Sequence, residues 1–114
     1  MLIRAAKEGN FHYVSKAIEL GADVHAKHDY ALFTACDNNN INCIKILIDN
    51  GANIHVADDY ILRWNCRVGN TDVVKMLLKY GADPLVNDYE PLKVAIKYDN
   101  EKIVKVLLST EKYK

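Results

Sequence analysis

Apolar residues along the 114-residue chain fall into two adjacent pairs, four residues apart, and they do so four times. The sets are Tyr13-Val14 with Ala17-Ile18, Cys43-Ile44 with Leu47-Ile48, Val73-Val74 with Leu77-Leu78, and Ile103-Val104 with Leu107-Leu108. Positions i, i+1, i+4 and i+5 share one side of a helix, so each set predicts a short amphipathic helix with its stripe on a core. Asn10, Asn40, Asn70 and Asn100 open these helices as favoured N-cap residues, and Gly21, Gly51 and Gly81 stop three of them. A shorter helix precedes each, beginning at Leu2, Leu32, Leu62 and Leu92, and ends at Gly9, Asn39, Gly69 or Asp99. These residue types tolerate the left-handed conformation that terminates a helix. Isolated helices shorter than about 12–15 residues are marginal in water, so such pieces must stack.

Every marker recurs at 30 residues, which identifies an internal repeat and an all-α fold class. A helix, a Gly-Asn turn, a second helix and then Gly-Ala-Asp together resemble the ankyrin repeat. The stretch from Asn70 to Pro84 and the run Gly21-Ala22-Asp23-Val24-His25-Ala26 carry the resemblance most fully. It implies an ankyrin-repeat solenoid of four stacked helix pairs with short β-turn fingers, in a single domain 1–114 with units 1–30, 31–60, 61–90 and 91–114. The family period is usually 33 residues. The missing residues fall between Gly-Ala-Asp and the next Leu, so abbreviated turns are expected near 24–31, 54–61 and 84–91. The family's Thr-Pro-Leu-His opening survives only as Pro91-Leu92, where Pro suits a first helical turn. Shortened, Asn-rich units are similar to those of ankyrin proteins of large DNA viruses. Glu8, Lys16 and Glu19 give the first unit some outer polarity, and Lys102, Lys105, Glu111, Lys112 and Lys114 do so for the last.

Composition narrows the function classes. Half of the residues are hydrophobic, which suits one continuous core, and 15 basic residues balance 15 acidic ones. No net field then draws the chain to nucleic acid or to a membrane, and a monomer is expected. The first residues lack the apolar segment of a secretion signal, which points to the cytoplasm, that of the host for a viral protein. Cys36 and Cys66 share a repeat position that suits a small packing residue, and Cys43 lies in an apolar stripe. Without paired Cys or His spacing these read as buried reduced thiols, with neither metal nor cofactor expected. His25 and His55 are equivalent and read as turn-forming hydrogen-bonding residues; the resemblance also implies a position open to hydroxylation, which Leu85 removes from the third copy. His12 and His28 read as surface residues. The acids Asp29, Asp58, Asp59 and Asp88 are scattered at the turns, and no nucleophile triad, phosphate loop or His-Glu-x-x-His occurs, so no enzyme is expected.

What the resemblance implies instead is a concave surface, formed by fingers and first helices, that holds another protein. Carried onto this sequence, it comprises Tyr30, Phe33, Asp37, Asn38, Tyr60, Arg63, Trp64, Arg67, Lys93, Lys97 and Tyr98, with Tyr89 and Val68 beside them. Tyr, Trp and Arg are the types enriched in binding hot spots. The competing reading has the tyrosines bracing shortened fingers and Trp64 filling a gap, with the chain a structural spacer in a longer array.

Overall fold

The computed structural model describes residues 1–110 and 112; of the outer polar residues named above, Glu111 and Lys114 lie outside them. Among the described residues eight helices follow in order: α1 Leu2–Glu8, α2 Phe11–Glu19, α3 Ala26–Asp37, α4 Ile41–Asp49, α5 Val56–Val68, α6 Thr71–Lys79, α7 Val86–Lys97 and α8 Glu101–Leu108. No strand occurs among the described residues. Contacts divide the chain into two compact units, Met1–Asn53 and Ile54–Lys114, so the sequence unit 31–60 straddles the division. In the first unit α1 packs on α3 and α2 on α4; in the second α5 packs on α7 and α6 on α8.

The hairpin between α1 and α2 shows why the sequence folds this way. Gly9 takes φ 77°, its N–H donates to the Ala6 carbonyl, and the Asn10 N–H reaches the Ala5 carbonyl at 2.9 Å. That pair of bonds closes the helix end in a Schellman turn. Asn39 at φ 57° and Asp99 at φ 62° do the same with side chains that tolerate the strain. Gly9 and Gly69 answer a second demand. A Cβ built at either would lie 3.0 Å from the side-chain oxygen of Asn40 or Asn100.

Those asparagines depart from the sequence expectation. Only Asn10 acts as an N-cap, accepting from the Tyr13 N–H at 3.1 Å. Asn40 turns its amide to the preceding repeat and donates to the Ala6 and Lys7 carbonyls at 2.8 and 3.0 Å. Asn100 does the same to Cys66 and Arg67, at 2.6 and 3.0 Å. The last carbonyls of a helix have no partner within it. A side chain from the next hairpin that satisfies two of them outweighs a single cap.

The abbreviated turns are not simple β-turns. Lys27, His28 and Asp29 wind left-handed at φ 54–60°, and Ala57-Asp58-Asp59 and Asn87-Asp88-Tyr89 repeat this. The Asp29 N–H closes the turn on the His25 carbonyl at 3.1 Å. Left-handed winding costs L-residues roughly 1–2 kcal/mol each, and a buried carboxylate offsets part of it. Asp29 accepts from the Asn53 N–H at 2.9 Å and contacts His25 Nδ1 at 2.9 Å. Asp59 accepts from the Asp83 N–H at 2.8 Å and contacts His55 Nδ1 at 3.0 Å. Where Leu85 replaces the histidine, Tyr89 replaces the aspartate.

Leu32, Ile44 and Leu47 fill the first unit's core, and Ile61, Leu62, Val73, Val74 and Leu77 that of the second. Two stripe positions depart from expectation: Tyr13 is 48% exposed and Leu108 52%. The Tyr13 hydroxyl accepts from the Met1 ammonium at 3.1 Å.

Candidate functional site

Spacing puts Tyr60, Arg63, Trp64 and Arg67 on one face of α5, since residues three and four apart are helix neighbours. In the same way Glu90, Val94, Lys97 and Tyr98 share a face of α7. Because α5 packs on α7, the two rows meet along one open groove of the second unit. Six residues expected from the sequence line it: Tyr60, Arg63, Trp64, Arg67, Lys97 and Tyr98. Glu90 and Val94 join them. The groove holds about 200 Å³, below the roughly 300–1,000 Å³ of ligand pockets, so it suits side chains of a larger partner better than a cofactor.

The two arginines of this row have different fates. Arg63 is 19% exposed and its guanidinium is spent inside the chain. Nε donates to the Asp58 carbonyl at 3.0 Å, Nη2 to Ala57 at 2.8 Å, and Nη1 to Glu90 Oε2 at 2.8 Å. It thus satisfies two carbonyls of the left-handed turn and ties that turn to α7. Its guanidinium carbon lies 5.3 Å from the Tyr60 ring centroid. Arg67, one helical turn further along the face, is exposed and has no carboxylate at ion-pair distance among the described residues. Its guanidinium carbon lies 5.5 Å from the Trp64 ring centroid and 4.9 Å from that of Tyr98. Lys97 Nζ approaches the same Tyr98 ring at 5.6 Å. Tyr60 and Trp64 have centroids 6.2 Å apart, tilted at 33°.

The other expected residues are placed differently. Lys93 is not part of the groove lining; it pairs with Asp88 at 3.4 Å in an exposed contact. In the first unit Tyr30 stacks on Phe33 at 5.6 Å, and Asp37 is exposed. The Asn38 amide donates to the Thr34 carbonyl at 2.8 Å, closing its own helix. Sequence reasoning missed Glu90 and Val94, which carry no repeat signature. It also missed the burial of Asp29 and Asp59, although the recurrence of His and Asp four residues apart at both places was a readable signal.

All three thiols are buried. Burial raises the Cys43 pKa and pushes that of Cys66 up to about 12. Burial, and then the Asp37 charge, raises that of Cys36. Thiols held protonated are poor nucleophiles and poor metal ligands, and all three side chains lie in the apolar core.

A family model described as ankyrin repeats in three copies matches residues 1–58 and 57–114. A search of curated proteins finds no match to the chain.

Proposed function

Because this chain belongs to the ankyrin-repeat family, whose repeats generally mediate protein–protein contact, we propose that it is a binding module that holds a partner protein in the groove between α5 and α7. One observation carries the reading: Arg67, stacked on Trp64 and Tyr98, is displayed on the surface with no carboxylate at ion-pair distance among the described residues, while Arg63 beside it is consumed internally. An arginine held in place by two aromatic rings has lost much of its conformational freedom already, which lowers the entropy cost of contact. Tyr60, Trp64, Lys97 and Tyr98 complete this surface, and Arg63 supports it. Tyr30, Phe33, Asp37 and Asn38 of the first unit, and Lys93 of the second, contribute contacts of their own. The proposed role needs neither catalysis nor a cofactor. Asn-rich, shortened repeats motivate a viral source, a cytoplasmic setting and a host partner.

Affinity capture with the whole chain against host and self lysates, read by mass spectrometry, identifies the partner. Trp64→Ala and Arg67→Ala should then each weaken binding by about 1–3 kcal/mol, as truncated hot spots do. The exposed residues Lys75 and Lys79 on α6 should matter little. Arg67→Ala should melt like the parent, whereas Trp64→Ala, which removes a half-buried ring from beside Tyr60, should melt lower. Parental affinity in both Arg67→Ala and Tyr60→Ala would leave the chain a structural spacer.

A further inference from the structure

We propose that the groove of the second unit receives an acidic segment of its partner, with Arg67 and Lys97 pairing with Asp or Glu carboxylates while Trp64 and Tyr98 pack against the neighbouring aliphatic carbons. This rests on the binding role above and adds the partner's chemistry. The charge inventory of the groove is uneven. It contains Arg63, Arg67 and Lys97 against Glu90 alone, and Glu90 is committed to Arg63 at 2.8 Å. Arg67 and Lys97 approach one ring, that of Tyr98, at 4.9 and 5.6 Å, with no carboxylate at ion-pair distance from either among the described residues. Two like charges held on one ring repel each other, and an entering anion turns that repulsion into attraction for both.

The geometry also favours a carboxylate. A guanidinium offers a planar fork that matches the two oxygens of a carboxylate, and the aromatic faces hold it oriented through their negative quadrupole. Lysine adds a point charge beside it. A nucleic-acid backbone fits less well, because it needs a run of cations along its phosphates. Here the flanking cations are neutralised, Arg63 by Glu90 and Lys93 by Asp88, and the whole chain has a formal net charge of zero.

The test is selection of random peptides displayed on phage against the whole chain at low salt. Selected sequences should be rich in Asp and Glu. Synthetic copies should bind less tightly as salt is raised, since screening weakens exposed charge pairs. Arg67→Ala and Lys97→Ala should each raise Kd roughly tenfold, as loss of one close charge partner does, and Arg67→Lys should lose less than Arg67→Ala. Circular dichroism of each variant confirms that the helices persist. Selection of neutral or basic peptides, no selectable binder, or preferential binding of a single-stranded RNA oligonucleotide would overturn the proposal. Peptides whose affinity falls in Trp64→Ala but ignores Arg67→Glu and Lys97→Glu overturn the acidic partner and leave the binding groove intact. Peptides indifferent to all three substitutions overturn both.

Discussion

At the scale of single residues, Ala57 and Asp59 lie in the same left-handed turn and stand in opposite energetic positions. Asp59 at φ 56° has a buried carboxylate that accepts the Asp83 N–H, so its strain is offset. Ala57 at φ 52° has only a methyl group to set against the same strain. Its carbonyl contact with Arg63 belongs to the backbone and survives substitution. Ala57→Gly should therefore stabilise the protein by about 0.5–1 kcal/mol, against the usual cost of glycine, because glycine enters this region freely; urea unfolding measures it. The same turn built as an ordinary β-turn would give no such gain. Cys66 makes a second residue-scale case. Its folded pKa of about 12 lies above the ordinary 9.0, so the fold favours the neutral thiol. Its contribution to stability is complete below pH 9 and is lost as pH rises towards 12, because the unfolded chain releases the proton first. Unfolding free energy should then fall with pH over that window more steeply in the parent than in Cys66→Ala, in which other alkaline titrations are unchanged.

At the scale of elements, the asparagine that begins every second helix shows how one sequence position acquires two functions. Residue type and spacing predict an N-cap at all four places, and Asn10 meets that prediction. Asn100 instead satisfies the Cys66 and Arg67 carbonyls at the end of α5. Helix-forming tendencies are local and therefore legible, but the choice between a cap and a bridge depends on a helix end brought alongside from 33 and 34 residues earlier. Asn100→Ala should cost about 1–3 kcal/mol, the penalty for leaving polar groups unpaired, by chemical denaturation. It should also raise hydrogen exchange at the end of α5, where a lost cap would raise it only at the start of α8. The groove gains from this bridge as well, since Arg67 belongs to the helix end that Asn100 closes.

At the scale of the molecule, stability in repeat arrays is close to a sum of repeat terms and nearest-neighbour terms. Leu47, fully buried in the first unit, should cost about 2–5 kcal/mol as Leu47→Ala. Hydrogen exchange should show protection falling more in α2 and α4, which pack on each other, than in α6 and α8 of the second unit. A uniform loss across both pairs would mean that the chain opens only as a whole. The sequence alone determined the 30-residue period, the helix pairs, their left-handed ends and the apolar stripes, because each follows from spacing within a few residues and from residue types that tolerate one conformation. It also placed Arg63, Trp64 and Arg67 on one helix face by the same local rule. Tertiary structure decided which of those side chains remain available. Arg63 is consumed by two carbonyls exposed in a turn wound against its preferred hand and by Glu90, 27 residues away, whereas Arg67 lies over the Trp64 and Tyr98 rings with no carboxylate at ion-pair distance among the described residues. A hydrogen-bond donor is spent or spared according to the acceptors that folding brings within reach, and those acceptors are set by distance in space, which spacing along the chain does not record.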